Sequence, residues 1–132
     1  MQLTEHRPDD QYYVHSVRED AVRIVETSYS RSLLLTPDRG VVDWPVATVA
    51  DIDESALAPI VEYRPDVVLL ATGRSIVFPD RRVQYALFRH GIGLEVMTLD
   101  AAGRTFNVLA SEARRVMAAM IWEKKSNAAA GT

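Results

Sequence analysis

The sequence predicts an α/β fold, and three features predict it. A strand–helix–strand pattern runs from 67 to 99, and the first third of the chain reads as short antiparallel strands. Between them, Val67-Val68-Leu69-Leu70-Ala71 is an apolar run without a break, closed by Thr72-Gly73. An uninterrupted run of this kind reads as a strand covered on both faces, which makes residues 67–72 the expected centre of a sheet.

Taken in order, residues 1–11 read as a loose arm broken by Pro8-Asp9-Asp10. Tyr12–Val17 has β composition, Arg18-Glu19-Asp20 is a polar turn, and Ala21–Thr27 alternates with Val22 and Ile24 on one face. Two such segments predict a hairpin. Arg31–Thr36 carries Leu33-Leu34-Leu35 and stops at Pro37-Asp38-Arg39-Gly40, a turn sequence, and Val41–Trp44 follows as a fourth short strand. After Trp44-Pro45 the character changes. Asp51 or Asp53 is placed to cap a short helix through about Arg64, with Leu57, Ile60 and Val61 inward and Pro59 leaving its start open. Pro65-Asp66 ends it and launches the strand 67–72.

Pro79-Asp80 starts a second helix. Val83, Ala86, Leu87 and His90 share its inward face, Arg81, Arg82 and Arg89 face out, and Gly91 is placed as the C-terminal cap. Leu94–Leu99 is the next strand, so 67–99 forms a βαβ unit with parallel pairing and a right-handed crossover. From Asp100 the pattern is helical again, with Ala102, Phe106 and Leu109 on one side. Ser111–Trp122 contains no breaker, so propensity continues the helix, yet Val116–Trp122 is apolar on all sides as a buried strand would be. Periodicity leaves both open. Glu123–Thr132 is polar and Ala/Gly-rich, an expected disordered tail, which leaves one domain over 12–122.

Composition narrows the function. The 132 residues are 48% hydrophobic and 25% charged, enough for one core and unlike a disordered chain. A net charge of -3 argues against a nucleic-acid binder, although thirteen of the 15 basic residues are Arg. The absence of cysteine removes disulfides, thiolate nucleophiles and Cys-ligated zinc, and fits a reducing, cytoplasmic setting. The polar, acidic start is no signal peptide, and no apolar run approaches the roughly 20 residues of a membrane span.

Ligands of open α/β sheets sit beyond the carboxyl ends of parallel strands. Those ends here are Thr72-Gly73-Arg74-Ser75 and Thr98-Leu99-Asp100, and the following helix sets Asp100, Arg104 and Asn107 on one face. Thr72, Gly73, Thr98, Asp100, Arg104 and Asn107 are therefore the candidate ligand residues. A helix N-terminus beside a glycine turn suits a small anion, and Arg104 or Arg74 offers a fork of donors. Each also has a structural alternative: Thr98 or Asp100 as N-cap, Asp100 with Arg104 as an i,i+4 ion pair, Asn107 as a partner for loop backbone.

No residue is assigned a catalytic role. There is no complete glycine-rich phosphate motif, and Gly73-Arg74-Ser75 lacks the nucleophile-elbow pattern. His6, His15 and His90 are not spaced with carboxylates as metal ligands, and Asp51, Asp53 and Glu54 sit where a helix dipole favours acids. No metal or cofactor is implied. Tyr12, Tyr13, Tyr29, Trp44 and Trp122 mark an interaction surface if exposed and a core if buried.

Several fragments together carry a family resemblance. They are Pro65–Gly73, a helix ending in His90-Gly91-Ile92, Glu95–Thr98, Ala102–Leu109 and Glu112–Val116. In order and spacing, over roughly 15–122, the chain resembles a domain-of-unknown-function family. That family includes a mitochondrial respiratory complex I assembly factor and an adipogenesis-associated animal protein. Two positions depart from its pattern: Ala71-Thr72-Gly73 replaces Gly-Thr-Gly, and Glu112-Ala113-Arg114 replaces Glu-Gly-Arg. The resemblance implies a three-layer α/β fold. A central mixed, mostly parallel sheet would carry packed helices and an N-terminal antiparallel β layer, with the final apolar run as a strand. It also implies an assembly or interaction role with protein partners, as a monomer or weak homo-oligomer. The competing expectation is a small-anion binder or weak enzyme at the strand-end rim.

Overall fold

The computed structural model describes residues 11–122; the expected tail over 123–132, His6 and all but the last residue of the expected N-terminal arm lie outside the described residues. Strands β1 (Val14–Val17), β2 (Val22–Ile24) and β3 (Thr27–Tyr29) form a small antiparallel sheet. The first two are the expected hairpin. The third follows a tight turn in which Val25 takes a positive φ of 54°.

The larger sheet is built from β4 (Leu33–Thr36), β5 (Gly40–Asp43), β6 (Val67–Ala71), β7 (Gly93–Met97) and β8 (Val116–Met120). Their spatial order is β5-β4-β8-β6-β7. β6 runs parallel to β7 and β8, while β4 runs antiparallel to β8 and β5. All strands but β4 therefore point one way, the mostly parallel mixed sheet that the family resemblance implies. The apolar run Val67–Ala71 is a buried strand, as expected, but the middle position belongs to β8.

Helices cover both faces. α1 (Glu54–Tyr63) and α2 (Arg81–Phe88) bury Leu57, Ile60, Val83 and Leu87 against Leu34, Val68, Leu70, Met117 and Ala119. On the other face α3 (Leu99–Ser111) and the small sheet bury Phe106, Val14 and Val22 against Leu33, Leu35, Leu69, Val116 and Met120. Alternate residues of one strand thus enter opposite cores, which is why the doubly covered strands show no polar alternation. At the centre the side chains are small. Ala118 is in register with Leu35 and Leu69, and Ala119 with Leu34 and Leu70, so large flanking residues close over a narrow middle strand.

Helix ends explain how 99–120 divides. Ala113 N–H donates to Ala110 O at 3.0 Å and Arg114 N–H to Leu109 O at 3.0 Å, a Schellman closure, with Ala113 at φ 60°. The chain then enters β8, so the strand alternative is the one realised. The glycine that the family has here would hold this left-handed conformation without the Cβ clash that Ala113 bears. Gly91 closes α2 in the same way at φ 76°, the cap position expected of it. His90 is corrected: α2 stops at Phe88, and His90 is exposed instead of extending the inward face. At α1, Asp53 is the N-cap, accepting from Ala56 N–H at 2.9 Å, while Asp51 closes the preceding 3-10 turn over Val49–Asp51.

The far end of α1 is clamped. Tyr63 is buried, its hydroxyl donates to Asp38 Oδ1 at 2.7 Å, and the guanidiniums of Arg115 and Arg39 lie 3.9 and 4.9 Å from its ring centre. Arg115 also donates to Tyr63 O at 2.7 Å and to Arg64 O at 3.2 Å, meeting carbonyls that the helix end leaves open. Burial pushes the Tyr63 hydroxyl up to about 12, reinforced by the hydrogen bond to Asp38 and its charge. Burial also acts to raise Asp38, but the Tyr63 hydroxyl and its other donors outweigh this and hold it below the usual carboxylate range.

Two outcomes follow. Because the folded state binds the Tyr63 proton more tightly than the unfolded state, this stabilisation is whole below the ordinary value of 10.0. It is lost as pH rises through about 12. A phenolate absorbance titration should therefore show a phase near pH 12 that Tyr63→Phe removes. The same phase in the variant would contradict the assignment. Ala113→Gly should raise the denaturant midpoint by an amount equal to about 0.5–1 kcal/mol without changing the slope, the left-handed strain relieved exceeding the unfolded-state entropy gained. An unchanged or lower midpoint would contradict it.

Candidate functional site

Because β6 and β7 are neighbours, their carboxyl ends share one rim. Thr72 N–H donates to Met97 O at 3.1 Å and Leu99 N–H to Gly73 O at 2.9 Å. Gly73 has φ 97° and open space where a Cβ would project. Thr98 is the N-cap of α3, its Oγ1 accepting from Ala101 N–H at 3.3 Å. Gly73, Thr98 and Asp100, with Arg74 and the Arg18-Glu19 turn, line a recess of about 220 Å³. Its charges balance in number: Arg74 pairs with Glu19 at 3.1 Å, and Asp100 and Arg18 also line it.

Thr72, Arg104 and Asn107 do not line this recess. The Thr72 hydroxyl donates to Ser75 O at 2.7 Å and accepts from Val77 N–H at 3.0 Å, tying down the loop after β6. Asn107 accepts from Val14 N–H and donates to Val14 O, both at 2.8 Å. Its amide stands in for a strand neighbour and docks α3 on β1. There α3 comes so close that a Cβ on Gly103 would lie 3.1 Å from Val14 and Val17 methyls. Arg104 is exposed on the outer side of α3, and its i,i+4 ion pair with Asp100 is not made. Ala71, where the family carries its first glycine, is fully buried in the core with Leu69 and Met120.

The aromatic candidates divide. Trp44 is core, its Nε1–H donating to Ala56 O at 2.9 Å. Tyr12 lies at the surface with its ring over Gly40, and Tyr13, Tyr29 and Trp122 are half-buried. His15 is exposed. Among the described residues no three of His, Asp and Glu gather at metal-binding separation.

A larger surface feature lies elsewhere, beside α1 and α2. A groove of about 970 Å³ runs between the start of α1, the loop ending in Val77-Phe78-Pro79, and the length of α2. Ile52, Leu57, Val83 and Ala86 line it below; Asp53 and Glu54 stand on one wall, Arg82 and Arg89 on the other. Phe78, 75% exposed, and Tyr85, 64% exposed, line it, and Phe88, 73% exposed, follows Tyr85 one turn on along α2, outside the lining. Arg89 lies 5.9 Å from the Tyr85 ring centre, and Asp80 accepts from Arg82 N–H at 2.8 Å. Reading 81–89 by its apolar face and its arginines leaves Tyr85 and Phe88 unassigned. Yet both stand on the polar side, and Ile76-Val77-Phe78 is an apolar run outside any strand. Those two anomalies are the signal for the groove.

Comparison with known proteins adds to this geometry. The family model described as "Protein of unknown function (DUF498/DUF598)" matches residues 14–121. NADH dehydrogenase [ubiquinone] 1 alpha subcomplex assembly factor 3 of Drosophila melanogaster is 31% identical over 87 residues. That match covers 63% of this chain and 44% of the relative, so the chain spans less than half of that protein's length. A Xanthomonas campestris protein solved by NMR is 37% identical with a TM-score of 0.81, covering 96% of both chains. A Bordetella pertussis protein described as an Mth938-like domain shares the fold, with a TM-score of 0.77 at 24% identity over 93% of each chain. The resemblance expected from the sequence is borne out.

Asn107→Ala should cost about 1–3 kcal/mol in denaturant unfolding, because it strands both backbone groups of Val14. A variant as stable as the parent would remove this docking role.

Proposed function

We propose, on the premise that the chain belongs to the DUF498/DUF598 family, that it is a non-catalytic protein of the bacterial cytoplasm that binds another protein and acts in assembly. It works as one α/β domain over 12–122. The observation that carries this reading is the exposed aromatic lip of Phe78, Tyr85 and Phe88 beside the groove. Large apolar groups left in water mark a surface meant to be covered, and aromatic residues with arginine are enriched at protein interfaces. The assembly-factor relative supports the class of function. The cysteine-free composition supports the compartment, and no helix among the described residues is long and apolar enough to cross a membrane.

A second reading is a small anion at the strand-end rim, using Thr72, Gly73, Thr98, Asp100, Arg104 and Asn107. Arg74, Arg18 and the N-terminus of α3 favour it. Glu19 and Asp100 oppose it, and Asn107 and Thr72 are already engaged.

The full chain, immobilised and exposed to native lysate of its own organism, should recover a reproducible protein partner at near-stoichiometric amounts. Recovery of none would sink the reading. A thermal-shift rise with phosphate, nucleotides or carboxylates that Arg104→Ala or Arg74→Ala abolishes would favour the rim in its place.

A further inference from the structure

The walls of the groove say what kind of partner fits. No strand residue lines it: its sides are the start of α1, the loop through Val77-Phe78-Pro79 and the length of α2, so an extended peptide would find no strand edge to pair with. Phe78 stands on the loop before α2, and Tyr85 and Phe88 follow one turn apart on that helix of eight residues, which spans roughly 12 Å. A third helix laid in such a groove meets anchors of this kind with its i, i+4 and i+7 positions.

Charge narrows the choice further. The segment 80–90 holds three arginines against one aspartate, within a chain whose net charge is -3. The aspartate, Asp80, is turned to its own helix, held by Arg82 N–H. The aromatic lip is therefore framed by cations. A second copy of the chain joined α2 to α2 about a two-fold axis would set Arg81 of one against Arg89 of the other, a like-charge contact. A nucleic acid would meet Asp53 and Glu54 on the facing wall. An acidic edge laid along Arg82 and Arg89 meets neither obstacle.

We infer that the groove between α1 and α2 receives an amphipathic helix of a partner protein. Its apolar stripe covers Phe78, Tyr85 and Phe88, and its acidic edge lies along Arg82 and Arg89. This deepens the protein-binding reading above and rests on it.

The probe is a designed, labelled helical peptide of about 18 residues, roughly 27 Å long, with a leucine stripe and glutamates along one edge. Its counterpart carries lysines at the same edge. Binding to the full chain is followed by fluorescence anisotropy, beside an oligouridylate and phosphatidylserine vesicles. The glutamate peptide should bind at least tenfold more tightly than the lysine peptide and weaken with salt. The double variant Arg82→Glu/Arg89→Glu should reverse that order. Phe88→Ser, its fold verified by circular dichroism, should weaken the glutamate peptide at least tenfold. Equal binding of the two peptides, binding of neither, or tighter binding of RNA or vesicles that Phe88→Ser abolishes would each overturn the inference. A lysate partner that Phe88→Ser still recovers would also overturn it, while leaving the protein-binding function intact. With no lysate partner at all, that function fails first.

Discussion

Val116–Met120 hydrogen-bonds to β4 on one side and β6 on the other, and the large sheet is held together across that pairing. Among the described residues, β8 is the strand whose hydrogen bonds join the antiparallel part of the large sheet to its parallel part. Its residues point alternately into the α1–α2 core and the α3 core, so both layers are referenced to one strand. Its two central alanines let the leucines of β4 and β6 approach across it. A larger residue at Ala118 or Ala119 would press on both neighbours at once, in an interior packed at crystal-like density.

How much of this was legible depends on whether the determining contact is local. The β6–α2–β7 unit was legible because its signals are short-range: an apolar run, an amphipathic octet and Gly91 at the cap. The fate of 111–122 was not, since burial on both faces removes the periodicity that separates strand from helix. The stop before it rests on Ala113, a residue that carries no breaker signal and adopts φ 60° all the same. β3 escaped because Thr27-Ser28-Tyr29 is a short, mostly exposed edge whose composition gives no alternation.

The rim residues show the same division. Thr98 as an N-cap was readable as an alternative, because capping acts over three residues. Asn107 was readable as a backbone partner, but not as the partner of Val14 in a strand, which lies 93 positions away. A shared rim was expected only if the two strands pair directly or flank one other strand; they pair directly, yet the side chains expected to converge are spread among a cap, a loop tether and a helix-to-strand dock. The groove was hidden for another reason. Arginines on a helix read as ordinary solvated charge, and exposure of Tyr85 and Phe88 is decided by what the neighbouring elements leave uncovered.

The clamp around Tyr63 bears on the groove from a distance. α1 is ten residues long, and it carries Leu57 in the groove and Tyr63 between two guanidiniums at its other end. Displacing that wall would pull the hydroxyl from Asp38 and the helix carbonyls from Arg115. The opposing lip is different: Ile76, Val77 and Phe78 stand exposed on a loop tethered through the hydroxyl of Thr72. The groove thus has one jaw clamped at the far end of its helix and one that is an exposed, tethered loop. A guest would take its direction from the clamped side and cover the exposed loop.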